Sequence, residues 1–99
     1  MGYRLLPVAQ AQLDGIWHYV ATESGSIEIA KREIEKIEDG FWLLVGNPRA
    51  GRQRDHDLGA RVRSFPVGEY VILYRIEDYG PLILCVARGS RDLKNLLIN

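Results

Sequence analysis

Ninety-nine residues, 46% of them apolar, with thirteen basic and thirteen acidic side chains, fit a single module spanning residues 1–99. No run approaches the about 18 apolar residues a bilayer span requires, and Met1-Gly2-Tyr3-Arg4 lacks a signal-peptide pattern. The lone cysteine, Cys85, cannot close an internal disulfide, so a cytoplasmic protein that does not engage the membrane is expected.

Tyr3 to Leu6 is a short extended start, and Pro7 suits the first position of a helix, where its missing amide hydrogen costs nothing. Ala9, Leu13, Ile16, Trp17 and Val20 then recur at helical spacing until Gly25. Ser26 is placed to cap a second helix, with Glu28 in its first turn. Ile27, Ala30, Ile34, Ile37, Phe41 and Leu44 alternate steps of three and four, the clearest periodic signal in the chain. That helix runs to about Asn47, because the residue before Pro48 avoids helical angles. The short gap at Ser24-Gly25 makes the two helices a hairpin. Gly15 and Gly40 weaken them by roughly 1 kcal/mol each relative to alanine, with no reason visible in the sequence.

Pro48 to Gly59 has no apolar periodicity and reads as a polar, arginine-rich loop. Three strand-like runs follow at Ala60–Val67, Tyr70–Ile76 and Leu82–Arg88. Their connections, Gly68-Glu69 and Glu77-Asp78-Tyr79-Gly80-Pro81, are short turns, which implies an antiparallel meander. Asp92 to Leu97 is a candidate helical turn. The fold class expected is α+β: an N-terminal strand, a helical hairpin, and a small, mostly antiparallel sheet.

Charge and hydropathy both point to partners. Up to Asn47 there are four basic and seven acidic residues, a net −3; from Pro48 onward there are nine and six, a net +3. Eight of those nine cations are arginines, whose planar donor fork suits carboxylate and phosphate. For any one arginine, a surface ion pair is the commoner role. The last two strands are apolar at nearly every position, so both faces of the sheet must be shielded from water. A helical hairpin covers one face. Either a partner covers the other, or the C-terminal leucines, Leu93, Leu96 and Leu97, with Ile98, fold back over it.

Several segments carry a resemblance. Tyr3-Arg4-Leu5-Leu6-Pro7 with Ala9, Ala11, Leu13, Ile16 and Trp17, then Asn47-Pro48-Arg49-Ala50-Gly51-Arg52, then Val62-Arg63-Ser64-Phe65-Pro66-Val67-Gly68 and Val71-Ile72-Leu73-Tyr74-Arg75-Ile76, and lastly Arg88-Gly89-Ser90-Arg91-Asp92, follow one another as in the ParE branch of the RelE/ParE toxin superfamily. The match spans essentially the whole chain. The resemblance implies the growth-inhibiting toxin of a type II toxin–antitoxin pair, of the kind associated with plasmid stabilisation. Its implied target is DNA gyrase, inhibited by protein–protein binding with trapping of the cleaved DNA complex. Its implied partner is a ParD-like antitoxin, whose ribbon-helix-helix portion binds DNA and whose flexible tail orders on the toxin.

The residues favour binding over catalysis. Cleaving RNA needs a base, an acid and a charge stabiliser around one phosphate. Arginine serves only the last role, since it stays protonated. RelE-type nucleases use lysines before and along the central strands, and this chain has none between Lys36 and Lys94. No metal-ligand spacing, nucleophile set or glycine-rich phosphate loop is present, so no cofactor, metal or catalytic residue is assigned. The candidate target contacts are Arg61, Arg63, Tyr74, Arg75, Arg88 and Arg91. The candidate antitoxin contacts are Leu13, Trp17, Val20, Phe41, Trp42, Val45, Leu73 and Leu84. Specific nucleic-acid binding by the chain alone is not expected, because its total charge is neutral. The alternatives are a RelE-like ribosome-dependent endoribonuclease and a non-toxic module that only binds its antitoxin.

Overall fold

Pro7 opens helix α1, Pro7–Ser24, and Gly25 closes it in the left-handed conformation at φ 68°. The Ser26 hydroxyl accepts a hydrogen bond from the Ile29 amide at 3.2 Å and so caps α2, Ile27–Gly46. At the other end the Asn47 amide donates to the Leu43 carbonyl at 2.9 Å, and Pro48 prevents a further turn. This computed structural model describes residues 2–89 together with Leu93 and Leu97. The rest of the candidate turn over residues 92–97 lies outside them.

Among the described residues the strands are β1 (Arg4–Leu5), β2 (Arg52–Gln53), β3 (Arg63–Val67), β4 (Tyr70–Glu77) and β5 (Gly80–Arg88), in the sheet order β1-β5-β4-β3-β2. β1 runs parallel to β5, and every other pairing is antiparallel. The α+β class and the meander match the sequence expectation. Two details differ. The strand expected from Ala60 begins only at Arg63, because Arg61 takes a left-handed φ of 65° and the Val62 amide donates back to the Gly59 carbonyl at 3.2 Å. The loop expected at 48–59 contains a 3₁₀ turn, Pro48–Ala50, and the edge strand β2. Both β2 residues are exposed and are held by ladder bonds to β3 rather than by burial, so no apolar pattern marks them.

The sheet has a core on each face. Ile37, Phe41 and Leu44 of α2 pack with Ala9 and Leu13 of α1 against Ile72, Tyr74, Ile83 and Val86. On the reverse face, Val62, Leu73, Leu84, Cys85 and Leu93 form a second cluster, with Leu58 and Leu97 packed against it. An irregularity in the β4–β5 register at Leu73/Tyr74 allows the consecutive Leu84 and Cys85 both to join this second core. Leu93, only 4% exposed, comes from the chain's own C-terminal segment. Of the two readings of this face, the described residues show cover by Leu93 and Leu97; Leu96 and Ile98 lie outside them. Ile27, expected in the buried stripe of α2, is instead 66% exposed.

Gly40 explains itself in three dimensions. A Cβ at that position would lie 2.8 Å from Val67 Cγ2 and 3.1 Å from Ile72 Cδ1, so the missing side chain lets α2 sit close on the sheet. A Cβ at Gly15 would meet nothing within 4 Å. The two glycines should respond oppositely to alanine. Gly40→Ala is expected to lower stability by roughly 1–3 kcal/mol through overpacking, and Gly15→Ala to raise it by up to about 1 kcal/mol through helix propensity. Denaturant unfolding of the two variants checks this, and equal signs would contradict the packing described.

Candidate functional site

Tyr74 organises the first candidate surface. Its ring is fully buried, and its hydroxyl donates to the Pro48 carbonyl at 2.6 Å while accepting from the Gly51 amide at 2.8 Å. Burial pushes this hydroxyl above its ordinary value of 10.0, against the smaller downward pulls of the Gly51 amide and Arg63. The phenol therefore stays protonated and keeps its donor role. Gly51 packs so tightly that any Cβ there would collide with the Tyr74 ring. Arg63 completes the fastening, its guanidinium donating to the Gly51 carbonyl at 2.7 Å and to that of Arg49 at 3.3 Å.

Beside this fastening, Arg61 and Arg63 line a cavity of about 160 Å³ with Gln53, Asp55 and Ile76. Next to it the chain is self-neutralised. Arg54 pairs with Asp57 at 2.5 Å and also donates to the Ser64 hydroxyl at 3.1 Å. That contact holds the Asp57 carboxyl below the usual aspartate range. Arg75 lies 3.7 Å from Glu77, and Arg88 lies 3.5 Å from Glu69. Arg49, Arg52, Arg61 and Arg63 form no such ion pair among the described residues.

The second surface is apolar and lies on the other side of the sheet order. Gln12, Gly15, Ile16 and Tyr19 of α1 face Tyr70 of β4 and Val86, Ala87 and Arg88 of β5 across an open groove of about 530 Å³. A smaller depression of about 320 Å³ shares Tyr19, Tyr70 and Arg88 and adds Val20, Ile29 and the carboxylates Glu23, Glu33 and Glu69. The groove abuts an unfinished sheet edge. β1 covers β5 only at Leu82 and Ile83. Further along, the outward-pointing Val86 amide donates to the Gln12 side-chain carbonyl at 2.8 Å instead of to a strand.

With this geometry in hand, similarity to known proteins becomes decisive. The family described as the ParE toxin of the type II toxin–antitoxin system, parDE, matches residues 3–93. The chain belongs to the ParE toxin family. Toxin ParE3 of Caulobacter vibrioides is 32% identical over 90 residues, covering 91% of this chain and 87% of the relative. Toxin ParE1 of Mycobacterium tuberculosis is 28% identical over 80 residues, covering 81% and 80%. A chain from the solved chromosomal ParDE TA system of P. aeruginosa superposes with a TM-score of 0.75 at 23% identity, covering 91% of this chain and 97% of that one, which establishes the shared fold.

Within this ParE-family fold, the residues singled out from sequence separate into groups. Of the candidate target contacts among the described residues, Arg61 and Arg63 share a cavity. Arg75 is half-buried against Glu77, and Arg88 lines the apolar groove, its guanidinium 5.0 Å from the Tyr19 ring centroid. Tyr74 offers no free side chain to a target, because its ring is in the core and its hydroxyl is engaged on both sides. Arg91 lies outside the described residues.

Of the candidate antitoxin contacts, Leu13, Phe41, Leu73 and Leu84 are core residues, at most 9% exposed, and are corrected to that role. Trp42 is 56% exposed and packs edge-on against Tyr3 at 5.2 Å. Val20 borders the groove's extension. Trp17 and Val45 are half-buried, and Trp17 lies in a separate small depression beside Leu5 and Ile34. The groove is also lined by Gln12, Gly15, Tyr19 and Ala87, which were not among the candidates from sequence. Gly15, a helix-weakening residue without a packing reason, was the available signal.

Replacing Tyr74 by phenylalanine should cost about 1–3 kcal/mol, because the Pro48 carbonyl and Gly51 amide lose their partner. The native hydroxyl titrates above the unfolded one, so its contribution is complete below pH 10 and declines as the pH climbs beyond it. Tyr3 and Tyr70 are raised in the same direction by burial. Equilibrium unfolding at neutral and alkaline pH should therefore show a shallower, still non-zero, alkaline loss for Tyr74→Phe than for the parent chain.

Proposed function

We propose that this ParE-family chain poisons DNA gyrase by binding it rather than by cleaving RNA, and that a ParD-like antitoxin silences it by laying an apolar segment in the α1–β5 groove. The observation that carries the non-enzymatic reading is the composition of the arginine cavity. Two arginines and Gln53 can stabilise charge there, and Asp55 is its one carboxylate. Among the described residues its lining holds no lysine, histidine or tyrosine, which supports a reading without proton transfer. Tyr74, paired with Arg63 across β3 and β4, is committed to Pro48 and Gly51. His56 is 69% exposed and turned to Asp57 at 3.6 Å.

The antitoxin assignment rests on the groove's shape and edge. It is lined by Ile16, Tyr19, Val86 and Ala87, and it ends on a β5 edge stopped by one glutamine side chain. An amphipathic segment that orders on binding suits such a surface. The acidic rim of Glu23, Glu33 and Glu69 favours a basic residue at one end of that segment.

Induction of the chain alone in cells tests the target. Growth arrest with broken DNA and intact messages is the expected result; cleaved messages with intact DNA would replace gyrase by the ribonuclease reading. Induction without any growth defect would leave only the antitoxin-binding role. Gly15→Phe tests the groove separately. The position has room for a side chain, so this variant should fold and remain toxic, yet escape neutralisation when the antitoxin is co-expressed. Full rescue by antitoxin would place the docking surface elsewhere.

A further inference from the structure

We infer that the wall formed by Arg61, Arg63 and Gln53, flanked by Arg49, is a binding site for the phosphodiester backbone of a nucleic acid. The inference goes beyond the proposed function and does not depend on gyrase, since binding is measurable with no target present.

Four observations converge on it. First, charge is unevenly used in the second half of the chain. Arg54, Arg75 and Arg88 each have a carboxylate partner, and Arg49, Arg61 and Arg63 have none among the described residues. Arg63 is held instead by two main-chain carbonyls, both bonded to its Nη1, which position the guanidinium without cancelling its charge and leave other donors free among the described residues. Second, Arg61 and Arg63 meet at a defined cavity of about 160 Å³. Gln53 faces Arg63 across the β2–β3 pair, and its amide adds uncharged hydrogen-bonding capacity.

Third, Arg61 holds a left-handed φ of 65°, an angle that glycine or asparagine adopts more easily. An arginine in that conformation, with its side chain lining a cavity, is a strained residue at the mouth of a site. Fourth, Ile76 lines both this cavity and a neighbouring depression bordered by Arg49, so the cations sit around one continuous surface. Asp55 also lines the cavity and opposes an anion. The neutral net charge of the chain does not prevent binding of the backbone, because the excess is local.

The test uses the purified full chain and its variants in fluorescence-anisotropy titrations. The probes are a short labelled DNA duplex and a single-stranded RNA of the same sequence, between about 50 and about 200 mM salt. Arg49→Gln combined with Arg61→Gly is the main variant. The glycine relieves the left-handed strain, so the fold should be kept. Arg61→Asn, which also tolerates that conformation, is the second choice should the first melt early. Arg32→Gln, an exposed arginine on α2, is the control.

The double variant is expected to bind about tenfold more weakly at low salt. Its log–log salt slope should be smaller by about 0.9 per lost contact for duplex DNA, or about 0.7 for single-stranded RNA. Preference for one probe identifies which nucleic acid supplies the backbone. The inference is overturned if the parent chain binds neither probe, if the double variant binds as the parent does, or if Arg32→Gln weakens binding equally. Polyglutamate competing as well as DNA would also overturn it, in favour of an acidic protein surface.

Discussion

The hydroxyl of Tyr74, buried between the Pro48 carbonyl and the Gly51 amide, joins the sheet to the segment that follows α2. Without that joint the segment would leave two main-chain groups inside the protein with no partner, which an interior does not tolerate cheaply. With it, the 3₁₀ turn is fixed against β4, and Gly51 must remain without a side chain. Arg63 can then reach the Gly51 and Arg49 carbonyls. The arginine wall thus depends on a residue that contributes no charge of its own. A loop of this polarity would otherwise be governed by solvent, and its cations would be dispersed.

The sheet order separates the two surfaces. The arginine wall lies at the β2–β3 side and the groove at β5, with β4 between them contributing Ile76 to the one and Tyr70 to the other. Each surface belongs to an edge where the ladder is incomplete. β2 has two residues, and β1 covers only Leu82 and Ile83 of β5. Exposed edges invite pairing, and here one is bordered by charge and the other is closed by Gln12 over the Val86 amide.

The helices were legible because their signals are local. Pro7, Gly25, Ser26 and Pro48 act within a turn of themselves, and the spacing of Ile37, Phe41 and Leu44 reports one buried face. The exposed apolar surface was less legible, because apolar character alone does not say which apolar residues are left over after the core is filled. Phe41, Leu73 and Leu84 met their need for burial inside this chain. Tyr19 and Ala87, less conspicuous in sequence, became neighbours only when α1 lay beside β5. The arginines pose the same problem in charge. Arg54 and Arg61 are indistinguishable by type, yet one finds Asp57 three residues on and the other points into a cavity.

The sequence by itself determined the α+β class, the helical hairpin, the meander and the membership in a toxin family, since each rests on patterns read over short spans or along the whole chain. Tertiary structure alone decided that Leu93 and Leu97 close the sheet's second face, that Gly40 is a contact point and Gly15 an opening, and that Tyr74 is an anchor rather than a contact. The physical reason is that burial and pairing are properties of what comes to lie opposite a residue. For Tyr74 and Gly51, which are 23 positions apart, that is known only after the chain has closed on itself.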